Sequence, residues 1–105
     1  MSEIDPEDAK IITLARAARA RNQTPEGAAV RDETGRTYSA TTVDLPSLKL
    51  SALQVAVAMA VSSGAESLEA AAVVTETDPD LSAARDLGAV SILLAAPDGT
   101  LRKTL

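Results

Sequence analysis

The 105-residue chain contains no cysteine, histidine, tryptophan or phenylalanine, and Tyr38 is its only aromatic residue. Each absence excludes something. Without cysteine there is no disulfide framework, which fits a reducing compartment. Without cysteine or histidine the commonest ligands of catalytic zinc are missing, as is the side chain that titrates near neutral pH. Bases have no aromatic platform to stack on. The net charge of −5 is wrong for a phosphate backbone, which is held by clustered Lys and Arg. No apolar run reaches the ~18 residues of a membrane span. The acidic start, Met1-Ser2-Glu3-Ile4-Asp5-Pro6-Glu7-Asp8, lacks the basic and apolar regions of a secretory leader. The expectation is a cytoplasmic protein that binds neither nucleic acid nor membrane.

What is present is small and apolar. Hydrophobic residues make up 46% of the chain, and alanine alone fills 21 positions. A core of Ala, Val, Leu and Ile buries less area per side chain than one with aromatics, at roughly 25 cal/mol per Å². One domain over residues 1–105 is expected, with a homo-oligomer (dimer or tetramer) supplying further burial.

Asp5-Pro6-Glu7-Asp8 reads as a helix start, with Asp5 as cap, Pro6 in the first turn and two acids beside the positive end. Ile11, Leu14, Ala15 and Ala18 then recur at helical spacing, and the helix should end near Asn22, before Thr24-Pro25. Two strand-like runs follow, at 27–31 and 36–43. Between them, Glu33-Thr34-Gly35 is a hairpin signal.

From Ala52 to Val61 only Gln54 is polar. The stretch from Ser47 to Ser63, capped by Ser47 and stopped at Gly64, is expected to be one helix buried on more than one side. Residues 70–75 and 90–95 read as buried strands. Between them, a short helix over 79–87 has Asp78 as its cap and Gly88 as its stop. The last six residues either add an edge strand or fray. Strands separated by helices imply a three-layer α/β/α domain, with a mixed sheet combining an N-terminal hairpin and parallel strands.

That element order, over about residues 7–99, resembles the cytidine deaminase family. Ala58-Met59-Ala60-Val61-Ser62-Ser63-Gly64 resembles the end of the family's first metal-binding helix. Gly27-Ala28-Ala29-Val30 and Asp32-Glu33-Thr34-Gly35-Arg36 resemble its Val-Gly-Ala-Ala strand and the turn after it, and Thr42-Val43-Asp44 lies where the family has Asn-Val-Glu.

The resemblance also assigns the departures. Zinc deaminases carry His-x-Glu, or Cys in place of His, followed by Pro-Cys-x-x-Cys. Counting back from Gly64, Ser51 replaces the first ligand and Leu53 the proton-shuttling glutamate. Pro79 to Arg85 fits the second motif, with Asp80 and Ala83 at the cysteine positions. Catalytic zinc takes about three protein ligands and lowers the pKa of its water toward ~7. Ser51, Asp80 and Ala83 supply no such site, and Leu53 carries no proton. Metal and cofactor are therefore expected to be absent. The remnant pocket implied by the resemblance is formed by Thr42, Asp44, Ser51, Leu53, Asp80 and Ala83. The family's pocket approach is reduced to Gln23-Thr24-Pro25-Glu26, which counts against a nucleoside.

Three other groupings have plainer readings. Glu76, Asp78 and Asp80 alternate as calcium or magnesium ligands would, but without a calcium-loop glycine or terminal glutamate they read as an acidic solvated loop. Arg16, Arg19 and Arg21 suit an anionic partner, but equally the negative end of their own helix. Ser51 has no histidine base, and Lys49 would point off its face of the helix. The favoured reading is a non-catalytic oligomeric interaction or regulatory module, with its protein partner unnamed. The alternatives are a nucleoside or small-molecule binder using the remnant pocket, and a metal-free enzyme of other chemistry.

Overall fold

The computed structural model describes residues 4–105, and the reading of the start at residues 1–3 lies outside them. The elements run α1 (Pro6–Asn22), β1 (Gly27–Asp32), β2 (Thr37–Thr41), β3 (Val43–Leu45), β4 (Leu48–Leu50), α2 (Ala52–Ser62), β5 (Leu68–Val74), α3 (Ser82–Asp86), β6 (Ser91–Ala95) and β7 (Leu101–Thr104). Five strands form one sheet in the order β2-β1-β5-β6-β7. Only β5 and β6 pair in parallel; the other neighbours are antiparallel.

Two-residue alternation along the strands divides the core into two layers. On one face Ala29, Ala70, Ala72, Val74, Leu93 and Ala95 pack against Ile11, Ile12 and Ala15 of α1. On the other, Ala28, Val30, Ala71, Val73, Ile92 and Leu94 pack against Leu53, Ala56, Val57 and Ala60 of α2, with Leu81 and Ala84 beside them. The expected α/β/α layering is present. The alanine-rich run of β5 is buried on both faces, which is why it lacks a polar alternation. No helix among the described residues is long and apolar enough to cross a membrane.

Helix α1 begins as its sequence dictates, with Asp5 Oδ1 accepting from the Glu7 amide at 2.8 Å. Its buried stripe is Ile11, Ile12, Ala15 and Ala18, while Leu14 is only half-buried. Helix α2 corrects the sequence reading. It starts four residues later than expected, and Ser51 is its cap rather than Ser47. Ser51 Oγ accepts from the Gln54 amide at 3.1 Å, and Gln54 Oε1 accepts from the Ser51 amide at 2.9 Å. This reciprocal pair satisfies two otherwise orphaned amides. The residues before it form a β3–β4 hairpin turning at Pro46-Ser47, with Asp44 opposite Lys49 and Leu45 opposite Leu48. The 36–43 run ends as a strand at Thr41, and Val43 opens this hairpin.

The second correction concerns the loop after β5. Helix α3 is only five residues long, from Ser82. Asp78 does not cap it, because its carboxylate faces Arg102 on β7 at 3.3 Å. Arg102 also donates to the carbonyls of Thr75 and Thr77, at 3.2 and 2.8 Å, which ties the loop to the sheet edge.

The β1–β2 turn is organised by Asp32, which is 2% exposed. Its Oδ1 accepts from the Thr34 amide, the Thr34 hydroxyl and the Arg36 amide, and Tyr38 donates to Oδ2 at 3.3 Å. Burial alone would raise this carboxyl, but the bonds from Thr34, Arg36 and Tyr38 outweigh it and hold the group below its usual value. A depressed folded-state pKa stabilises fully above the unfolded value of about 3.9 and is lost as pH falls through the folded value. Asp32→Asn is therefore expected to melt below the wild type at neutral pH and to converge on it in acid. Parallel melting curves across that window would remove Asp32 from this role.

Candidate functional site

Three of the six pocket residues come together. Thr42, Asp44 and Ser51, with Glu26, Lys49 and Leu50, line a shallow groove of about 450 Å³ where the hairpin meets the start of α2. Two of its charged members were not singled out as site residues in the sequence. Lys49 is not on a helix, as expected, but on β4, where its ammonium meets the Asp44 carboxylate at 2.6 Å across the hairpin. Glu26 reaches the start of α2, with Oε1 accepting from the Ala52 amide at 3.4 Å. It immediately precedes Gly27, the first residue of β1, which places it at the end of an interior strand beside Thr41 and Val74.

The other three residues lie elsewhere. Leu53 is 1% exposed and packs in the α2-side core with Leu81. Ala83 is half-buried against the same cluster. Asp80 is exposed, and its Oδ1 accepts from the Ser82 hydroxyl at 2.6 Å and the Ser82 amide at 2.9 Å. The hydroxyl bond first, then the amide, hold this carboxyl below its ordinary value. Helices α2 and α3 pack together, but apolar side chains fill their junction.

A family model for cytidine deaminase-like proteins matches residues 4–99. The chain belongs to the cytidine deaminase-like family. Solved structures agree on the fold. A cytidine deaminase from Burkholderia pseudomallei superposes with a TM-score of 0.76 at 24% identity, covering 91% of this chain and 89% of that one. Cytidine deaminases from Mycobacterium tuberculosis (TM-score 0.67, 22% identity, 96% and 91% covered) and Mycobacterium leprae (0.65, 20%, 89% and 89%) are similar in the same way. No curated protein sequence matches the chain.

The zinc that zinc deaminases of this family carry finds no fitting donors here. Ser51 Oγ is engaged as a helix cap, Ala83 has no donor atom, and Asp80 holds the turn into α3. Among the described residues, no three Asp or Glu side chains gather where a metal ion could be held.

Proposed function

We propose that this member of the cytidine deaminase-like family works without deaminase chemistry, as a self-associating module. One observation carries the reading: Ser51 and Leu53, which the resemblance sets at a zinc-ligand and the proton-shuttle position, are used for helix capping and core packing. Leu53 is sealed in the core, and Ser51 closes a capping box. A proton shuttle must carry a titratable group within hydrogen-bond reach of a reacting atom, and a buried leucine meets neither condition.

The partner we propose is a second copy. Tyr38, Leu50, Val55, Ala58, Met59 and Ser62 line an apolar groove of about 400 Å³ on the outer side of α2. Met59 and Val61 on α2, and Leu45 and Leu48 on the hairpin, remain exposed. Apolar surface of this kind marks association sites. The groove lining carries no charge, so two copies of a chain with net charge −5 can meet there without opposing carboxylates.

The test has two arms. Protein purified without chelator should carry no stoichiometric zinc by elemental analysis and should release no ammonia from cytidine. Either positive result sinks the non-catalytic reading. By light scattering at micromolar concentration, the mass should be two or four times the 10.8 kDa of the chain. Met59→Glu should weaken that association about tenfold or more, as removal of a central anchor does. A wild-type monomer would end the self-association reading.

The convergence of Thr42, Asp44 and Ser51 on one groove favours a second reading, binding of a nucleoside or similar polar ligand. Its mark is a rise in melting temperature with cytidine, about 2.7 kcal/mol of added stability at a hundred times Kd.

A further inference from the structure

The five-stranded sheet ends in β2 on one side and β7 on the other, and the two edges are guarded differently. Edge β7 carries Arg102 and Lys103, and its register with β6 shifts between Leu94 and Ala95. Charged side chains and bulges are what keep an open edge from pairing with another chain. Edge β2 has neither. Its residues, Thr37-Tyr38-Ser39-Ala40-Thr41, include no charge and no proline, and they run against β1 without a shift.

Alternation along an antiparallel ladder decides which backbone groups of β2 are engaged. The Asp32 amide donates to the Arg36 carbonyl at 2.9 Å, so the bonded pairs that follow are Val30 with Tyr38 and Ala28 with Ala40. The amides and carbonyls of Thr37, Ser39 and Thr41 therefore point away from β1. No other element among the described residues pairs with them.

We infer that the self-association proposed above, on which this inference rests, is made by β2 pairing antiparallel with β2 of a second copy, about a two-fold axis at Ser39. That register sets Thr37 opposite the partner's Thr41 and Ser39 opposite the partner's Ser39. Every outward amide and carbonyl of both strands then has a partner, and the two five-stranded sheets become one. On the α1 face the seam is lined by hydroxyls, a favourable cross-strand combination. On the α2 face Tyr38 lies opposite the partner's Ala40, so the apolar grooves that Tyr38 lines come side by side. Charge favours a second copy as the occupant. The exposed Arg36, which forms no ion pair among the described residues, is carried to the far end of the partner's strand, where Glu26 and Asp44 outweigh a single Lys49. The same pairing at β7 would set Arg102 and Lys103 against their own copies.

The chain has no cysteine, so Ser39→Cys introduces a single thiol at the proposed axis. Bonded antiparallel partners stand about 5.5 Å apart at Cα, a separation that a disulfide spans. Mild oxidation should convert Ser39→Cys to a covalent dimer, about tenfold or more faster than Thr104→Cys on the other edge. Ser39→Lys and Ser39→Glu should each weaken association about tenfold or more by light scattering, because each sets like charges opposite one another. An equimolar mixture of the two should associate again, a rescue that follows only if residue 39 faces itself. Melting curves establish that each variant is folded, and Ser39→Cys, nearly the shape of the wild type, keeps the test open if a charged variant is not. A monomeric wild type would overturn the self-association reading and this inference together. A wild-type oligomer that Ser39→Lys leaves intact, or a Ser39→Cys that oxidises no faster than Thr104→Cys, would overturn the β2 seam alone. So would a mixture of folded Lys and Glu variants that stays apart.

Discussion

Leu53→Glu, which returns an acid to the place the family's proton shuttle would occupy, is expected to unfold the protein. Leu53 is 1% exposed among Ala56, Val57, Leu81 and Ala84. Removing such a leucine side chain costs about 2–5 kcal/mol through lost transfer energy and the cavity left behind. A carboxylate at the same point adds a desolvation cost that no partner offsets, because the neighbours are aliphatic. A domain of this size is stable by only about 5–15 kcal/mol, so the sum consumes most or all of it. Leu53→Met, which keeps volume and polarity, should cost less than about 1.5 kcal/mol. Urea titrations of the two variants beside the wild type decide the matter. A folded Leu53→Glu protein within about 1 kcal/mol of the wild type would mean that the space around residue 53 is open to water and remains a pocket.

The sequence made the fold more legible than the site, for reasons visible in particular residues. The Asp5-Pro6 start and the 3–4 spacing of Ile11, Ala15 and Ala18 are local signals, and local physics decided them. Residues 70–75 could be read as a buried strand because burial on both faces erases the polar alternation of a half-exposed one. The hairpin at 43–50 was missed because Leu48-Lys49-Leu50 is too short a run to reveal its period beside the apolar stretch that follows. The better helix-start signal was Ser51 with Gln54 three residues on, a capping box that states the boundary directly. The departures at Ser51, Leu53, Asp80 and Ala83 could be read because the resemblance sets each against a residue of another type. The contacts made around them could not. Lys49 finds Asp44 only across the hairpin, and Glu26 meets the Ala52 amide across 26 residues. Such partners exist only once tertiary structure has formed.

Gly27→Ala is the smallest change with a comparably large expected effect. A Cβ at Gly27 would lie 2.1 Å from the carbonyl oxygen of Ala15 and 2.9 Å from Arg19 Cβ. The first obstacle is backbone, so no side-chain rotation relieves it; α1 itself must move away from β1. That movement would loosen the packing of Ile11, Ile12 and Ala15 against Ala29, Ala72 and Val74, whose alanines leave no long side chains to follow the retreating helix. Overpacking a tight core typically costs 1–3 kcal/mol and sometimes more. With backbone as the obstacle, a loss of about 3 kcal/mol is expected, or about 12–24 °C in melting temperature at 4–8 °C per kcal/mol. Residue 27 also pairs with Thr41 on one side and Val74 on the other, so the disturbance reaches both Glu26 and Thr42. Calorimetric melting of Gly27→Ala beside Gly35→Ala separates close approach from backbone strain. Gly35 has a φ of +89° and nothing within 4 Å of its would-be Cβ, so its alanine variant should lose only the cost of a left-handed backbone, about 1–2 kcal/mol. If the two variants lost equal stability, close packing of α1 on β1 would not be what holds this face of the sheet together.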